Sequence, residues 1–347
     1  MHPRWFTTFT MIVLLPFVFG ACSGGTAAPV DASFYYWKTV YNPDSTEQAS
    51  LRHIGAERVF IRIMDIDNQG GNGEAIPVSA VTFAEPLPDT LAAVPVVYIV
   101  NNVLKERSAD QLETLAANIE QFVSGKMKQA GKAGFDEIQL DCDWTATTRD
   151  NYFALLDALR RRMGDTVKLT STLRLHQVRN RRSSGIPPVD RVLLMCYNMG
   201  NLRQYGDHNS ILDLQEMRTY LDGFLEDYPL PMDIALPLFS WPVIFRNQQY
   251  IGISKRLDTE LLADTTLFDH DAGTRLYRLV GDLPEAGLRY GDVVRHEETQ
   301  WDDLTAAADF LAAHKRKEDF TLLFYHLDNQ VLTNFTDEQL QEIVRRF

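Results

Sequence analysis

One short apolar segment, Phe135-Asp136-Glu137-Ile138-Gln139-Leu140-Asp141-Cys142-Asp143-Trp144, carries the densest group of residues able to do acid–base chemistry. In an extended strand successive side chains point to opposite faces. Gln139, Asp141 and Asp143 therefore share one face, and Ile138, Leu140 and Cys142 share the other. Two carboxylates two residues apart sit roughly 7 Å from each other at about 3.3 Å per residue, and burying both is costly unless they share hydrogen bonds or a proton. A pair of this kind separates its pKa values, leaving one group able to give a proton while the other stays charged, as general acid catalysis requires. The same residues also suit a structural network closing a barrel interior, or a metal site.

The elements that must hold this segment are legible as eight apolar runs rich in Val, Ile, Tyr and Phe, separated by helical patterns. The runs are Phe34–Tyr36 with Trp37, Arg58–Met64, Val94–Val100, Glu137–Asp143, Val167–Leu173, Arg191–Tyr197, Asp233–Leu238 and Phe320–Tyr325. Short runs of this composition predict a parallel sheet covered on both faces. Helical spacing of Leu, Ala, Phe and Tyr is clearest over Ala109–Gln129, Thr147–Met163, Asp213–Leu225 and Asp302–Lys315. No Gly-rich phosphate turn follows the first run, and polar residues gather at strand ends all along the chain. The fold class predicted is thus α/β, a (β/α)8 barrel of the TIM type, with an insertion after the seventh strand at about 245–295.

In such a barrel the carboxyl ends of the strands carry the site. Those ends bring together Trp37, Asp65, Asp67, Asn101, Asn102, Asp141, Asp143, Arg174, His176, Tyr197, Asn198, Trp241 and His326. Asp65 and Asp67, followed by Asn68 and Gly70-Gly71, read as turn residues in preference to a cation loop. No close pair of histidines suggests zinc, and neither a metal nor a cofactor is implied. Cys142 and Cys196 fall inside apolar strands and read as core residues.

The formal net charge of −13 disfavours binding to phosphate backbones, so nucleic acid is not expected as a partner. Residues 1–21 read as an export signal: Arg4 supplies the positive end, and Phe9–Phe19 supplies an apolar stretch too short to span a bilayer. The ending Phe19-Gly20-Ala21-Cys22 resembles a bacterial lipobox, with Phe19 where Leu is usual. The resemblance implies lipidation of Cys22, a tether over residues 22–30, and attachment to a membrane of the cell envelope, facing either the periplasm or the outside; the barrel read from the strand pattern then spans residues 31–347. The competing reading is cleavage nearby, with Cys22 an incidental thiol.

Two strand ends carry a further resemblance. The segment from Asp136 to Asp143 is similar to the Asp-Gly-x-Asp-x-Asp-x-Glu signature of family 18 glycoside hydrolases, the chitinase-like barrels. Asp136 and Asp141 match, while Glu137 stands for Gly, Gln139 for Asp and Asp143 for the catalytic Glu. Met195-Cys196-Tyr197-Asn198 resembles that family's Met-x-Tyr-Asp run, with Asn198 for Asp. The resemblance implies a substrate-assisted hydrolysis in which Asp143 protonates the leaving oxygen, while Asp141 and Tyr197 position the substrate's acetamido group. Gln139, Trp144, Asn198, His176, Trp241, Trp37 and His326 would bind the sugar, with Trp241 or Trp301 as an aromatic floor. The stretch DWTATTRDNYFALLDALRR, with LTSTLRLHQV and PPVDRVLLMCYNMGN, is also similar to uncharacterised Bacteroidetes-type barrel lipoproteins, a resemblance that adds Arg149 and Asn201 to the candidates. The expectation is an exported, lipid-anchored, glycan-active barrel. Its alternative is a glycan-binding surface lipoprotein without catalysis.

Overall fold

A computed structural model describes residue 2 and residues 30–69, 73–254 and 256–347. The signal segment, Cys22 and the Gly70-Gly71 pair lie outside the described residues. Eight parallel strands close on themselves: Val30–Tyr36, Arg58–Asp67, Ala92–Ile99, Glu137–Asp141, Lys168–Arg174, Arg191–Met195, Met232–Pro237 and Phe320–Tyr325. Each pairs with its neighbours in sequence, and the first strand closes the ring by pairing with both the second (Tyr35 opposite Phe60) and the eighth (Phe34 opposite Phe324). This is the (β/α)8 barrel expected from the alternating runs. No helix among the described residues is long and apolar enough to cross a membrane.

The helices form where the sequence supplies both an apolar stripe and a stop. Ala109–Gln129 starts at a capping box between Ser108 and Gln111 and buries Leu112, Leu115, Ala116, Ile119, Val123 and Met127. Arg149–Met163 ends at Gly164, whose φ of 71° suits a residue without a side chain. The helix expected over Asp213–Leu225 is shorter, Leu214–Leu221; Asp213 caps it, and Asp222 and Gly223 leave the helical conformation. Strands four and six stop two residues earlier than their apolar runs, at Asp141 and Met195. Apolar character continues past these strand ends, where Cys142, Trp144, Cys196 and Tyr197 are buried, and the Cys196 N–H still donates to the Ala235 carbonyl of the seventh strand at 2.9 Å.

Between the seventh and eighth strands the chain builds a five-stranded antiparallel sheet, in the order Gln249–Ile253, Ser240–Arg246, Val293–Glu298, Leu276–Leu279, Phe268–His270. It has its own apolar cluster, including Ile244, Leu262, Phe268, Leu279 and Val294. The sheet runs from Ser240 to Glu298, wider at both ends than the expected 245–295; its start was expected later because Ser240–Trp241 reads in sequence as the tail of the seventh strand.

Leu140 is fully buried on the outer face of the fourth strand, where its carbonyl oxygen accepts a hydrogen bond from the Tyr152 hydroxyl at 3.2 Å. Leu140→Ala is expected to lower stability by about 3 kcal/mol in denaturant unfolding. A loss below about 1 kcal/mol would show that this face is not tightly packed.

Candidate active site

The alternation in the fourth strand is resolved by its partners. Tyr35 donates its hydroxyl to the Gln139 side-chain oxygen. Strands one and four are not neighbours, so this bond crosses the barrel interior and fixes the inward face. Below it, Glu137 is met by Arg58, Lys168 and Thr170, an ionic plug at the amino-terminal end. Above it, the Asp141 carboxylate accepts from the Thr172 hydroxyl at 2.7 Å. Asp143 follows at the rim, where Arg174 donates to both of its oxygens, Nε at 2.6 Å and Nη2 at 2.7 Å.

The two carboxylates therefore occupy different environments. Asp141 is only 8% exposed, and its pKa is pushed up to about 6, chiefly by burial and then by the charge of Asp143; the Thr172 hydrogen bond and the Arg174 charge act in the opposite direction. Asp143 is 42% exposed at its side chain and lines a cleft of about 620 Å³. Its bidentate pairing with Arg174 fixes the direction of both oxygens. Proton donation from Asp143 requires Arg174 to let go first. Burial lowers the Arg174 pKa, but the hydrogen bonds and charge of Asp143 together outweigh it and raise the guanidinium above its usual range.

The cleft lies over strands four to seven, and its walls include Asp143, Arg174, His176, Asn198, Ser210 and Trp241. Its size is that of a small-ligand site. His176 stands exposed at its edge; partial burial and the neighbouring Arg174 lower its pKa. Asn198 is exposed, with φ of 55°, a left-handed conformation that Asn tolerates better than most residues. Tyr197 is buried beside this cleft, its ring 5.1 Å from Tyr325 and 6.1 Å from Phe239. Its pKa is raised by burial, then by Tyr325 and Asp141, so the phenol stays neutral. Phe239 in turn meets Trp241 edge-on at 5.0 Å.

Other expected site residues are placed differently. Trp144 touches the cleft edge, yet it is 3% exposed, stacked on Tyr152 at 5.1 Å, and its indole N–H donates to the Ser184 carbonyl. It packs under the wall. Gln139 is wholly buried beneath Asp141 and does not reach the cleft. Trp37 and His326 sit across Tyr325 on the first- and eighth-strand side of the mouth; Trp37 lies 5.6 Å from the Tyr325 ring and under the Arg62 guanidinium at 5.9 Å. Trp301 opens the helix Trp301–His314 and is not part of the cleft. Arg149 pairs with Asp150 and the Ser183 carbonyl, away from it. Asn201 is exposed between the cleft residues Gly200 and Leu202. Asp65 pairs with Arg62, and Asp67 accepts from the backbone N–H groups of Asn68 and Gln69, as a turn residue does. Among the described residues no three His, Cys, Asp or Glu side chains are grouped to hold a metal ion.

Two groups escaped the sequence reading. Arg174 stood among the strand-end residues without a role. Its signal was the parallel register: Leu140 pairs with Ser171, so Asp143 and Arg174 fall level just beyond the ladder. Thr172 follows from the same register opposite Asp141.

No family model matches the chain, and no curated protein matches it. Solved structures do. The chain is similar to a chitinase from Chromobacterium violaceum (16% identity, TM-score 0.52, covering 92% of this chain and 98% of that one). It is also similar to the spore cortex-lytic enzyme SleL of Bacillus cereus (14% identity, TM-score 0.55, 93% and 75%) and to a family 18 N-acetylglucosaminidase from Paenibacillus barengoltzii (14% identity, TM-score 0.51, 92% and 100%). At this identity the likeness defines the fold, a barrel of the kind found in family 18 glycoside hydrolases.

An acid whose pKa rises on folding weakens the folded state once it ionises. Against an unfolded value of about 3.9, Asp141 has no effect on stability below about pH 4; its destabilisation grows as pH rises and is complete above about pH 6, at roughly 3 kcal/mol. Asp141→Asn, which keeps an acceptor for Thr172, is expected to raise the melting temperature by a few degrees at pH 8 and to leave it unchanged at pH 4. Equal shifts at both values would show that Asp141 does not titrate differently in the fold.

Proposed function

We propose that this chain is an exported, lipid-anchored barrel that binds a glycan in the cleft over Asp143, Arg174 and Trp241 and does not hydrolyse it through Asp143. Its anchor is the lipid on Cys22, and it works in the cell envelope. The observation that carries the reading is the bidentate Arg174–Asp143 pair, which occupies both oxygens of the carboxylate that corresponds to the family's acid. With both oxygens engaged by Arg174 neither is turned to a glycosidic oxygen, and Asp is one methylene shorter than Glu; a misplacement on the order of 1 Å can cost about 100-fold in rate. What remains suits recognition: a partly buried indole at the cleft wall, a fixed carboxylate and guanidinium for sugar hydroxyls, and Asn198 and Ser210 as further polar groups. The structural neighbours support a sugar as the ligand, since their names are those of chitinases and of an N-acetylglucosaminidase.

A hydrolytic reading is favoured by one observation, the buried Asp141 with its pKa near 6, in the range where an acid–base group works at neutral pH. In that reading Arg174 releases Asp143 on substrate binding, Asp143 acts as general acid, and Asp141 and Tyr197 hold the substrate.

Calorimetry with chito-oligosaccharides and peptidoglycan fragments, together with an assay for new reducing ends between pH 4 and pH 8, separates the two. The binding reading expects saturable binding and no turnover, with Trp241→Ala weakening binding tenfold or more, because loss of a central aromatic contact costs about 2 kcal/mol. Turnover abolished by Asp143→Asn with binding retained would establish the hydrolytic reading instead.

A further inference from the structure

The cleft wall formed by Trp241 and the loop after the sixth strand is fastened by an ion pair that lies outside the barrel altogether. Glu297, in the insertion strand Val293–Glu298, is fully buried, as is Arg295 two residues before it. One oxygen of Glu297 accepts from Arg295 Nε at 2.6 Å. The other accepts from three donors: the Ser210 backbone N–H at 2.7 Å, the Ser210 hydroxyl at 2.6 Å and the Trp241 indole N–H at 3.0 Å. The remaining nitrogens of Arg295 donate to the carbonyls of Gln204 at 2.7 Å, Gly206 at 3.0 Å and Leu202 at 3.0 Å, and its guanidinium lies 4.9 Å from the Phe245 ring centre.

These partners belong to the segment that lines the cleft. Gly200, Leu202, Ser210 and Trp241 are all wall residues. The loop folds tightly on itself: Asn198 N–H donates to the Ile211 carbonyl at 2.9 Å, and a Cβ on Gly200 would stand 3.1 Å from the Ser210 Cα. A charge pair with no exposure is expensive to bury, and replacing it by apolar side chains is often neutral for stability. Its occurrence behind this wall is explained by what its hydrogen bonds fix. A free indole at the end of a strand rotates about two side-chain bonds, whereas an indole whose N–H is held by a buried carboxylate presents one face to the cleft.

We propose that Glu297, held by Arg295, is a positioning residue: it sets the orientation of Trp241 and the position of Ser210, and thereby the affinity of the cleft for a glycan. This rests on the glycan-binding reading above. It assigns the insertion a direct role in recognition, since the insertion supplies both the stacking indole and the carboxylate that orients it.

The test uses two readouts on the full chain. Fluorine NMR of 5-fluorotryptophan-labelled protein, with the Trp241 signal assigned by Trp241→Phe, reports orientation without any ligand. Calorimetry with chitotetraose reports affinity. In Glu297→Gln the Trp241 signal is expected to shift or broaden while that of Trp144 stays in place, and chitotetraose binding is expected to weaken about tenfold, the scale of one buried charged hydrogen bond. Should the single variant fail to fold, Arg295→Gln with Glu297→Gln removes both charges together, and Ser210→Ala removes one donor alone; both are expected to move the Trp241 signal in the same direction. An unmoved Trp241 signal in folded variants, or a moved signal with unchanged affinity, overturns the proposal. Absence of chitotetraose binding by the unaltered chain, with Trp241 still responding to Glu297→Gln, counts against the glycan reading and leaves the positioning of Trp241 supported.

Discussion

The bidentate contact between Arg174 and Asp143 is the interaction around which the open end of the barrel is arranged. It ties the chain beyond the fourth strand to the end of the fifth, where no backbone ladder reaches, and it holds both side chains at the cleft. The neighbouring Asp141 is governed by it as well. Burial and the Asp143 charge raise the Asp141 pKa, while Arg174 limits the rise. Remove Arg174 and two carboxylates of one strand stand together without a counter-charge, a state that favours protonation of one of them. The chemistry open to the site is therefore decided less by the presence of two acids than by the cation that has taken one of them.

A second level of order comes from the insertion. The barrel alone offers strand ends and an aromatic row, Trp37, Tyr325, Tyr197 and Phe239, whose rings meet edge-on or tilted. The row ends at Trp241, which belongs to the insertion sheet and is bonded to Glu297 of the same sheet. One side of the cleft is thus built on the barrel and the other on an independently packed sheet, joined across the buried Arg295–Glu297 pair.

The eight strands were legible because a strand covered on both faces must be apolar throughout, and five to eight such residues followed by a helical stripe leave few alternatives. The inward face of Gln139, Asp141 and Asp143 followed from alternation alone. Where the sequence reading stopped short, the missing information was register or non-local pairing. Nothing local to Arg174 says that it lies level with Asp143, because that depends on how strands four and five align. Nothing local to Glu297 says that its partners are at positions 210 and 241. Trp144 misled for a different reason: its place at the strand end suggested the cleft, but alternation puts it on the outer face with Leu140 and Cys142, where its indole stacks on Tyr152. The start of the insertion was misplaced because Ser240–Arg246 continues the apolar character of the seventh strand while pairing with a different sheet.

The most direct measurement is a crystal structure of the protein with chitotetraose bound. The account predicts the sugar in the cleft with one ring stacked on Trp241, and the Arg174–Asp143 pair intact beneath it. A sugar bound elsewhere, or Asp143 turned away from Arg174 onto a glycosidic oxygen, would contradict it.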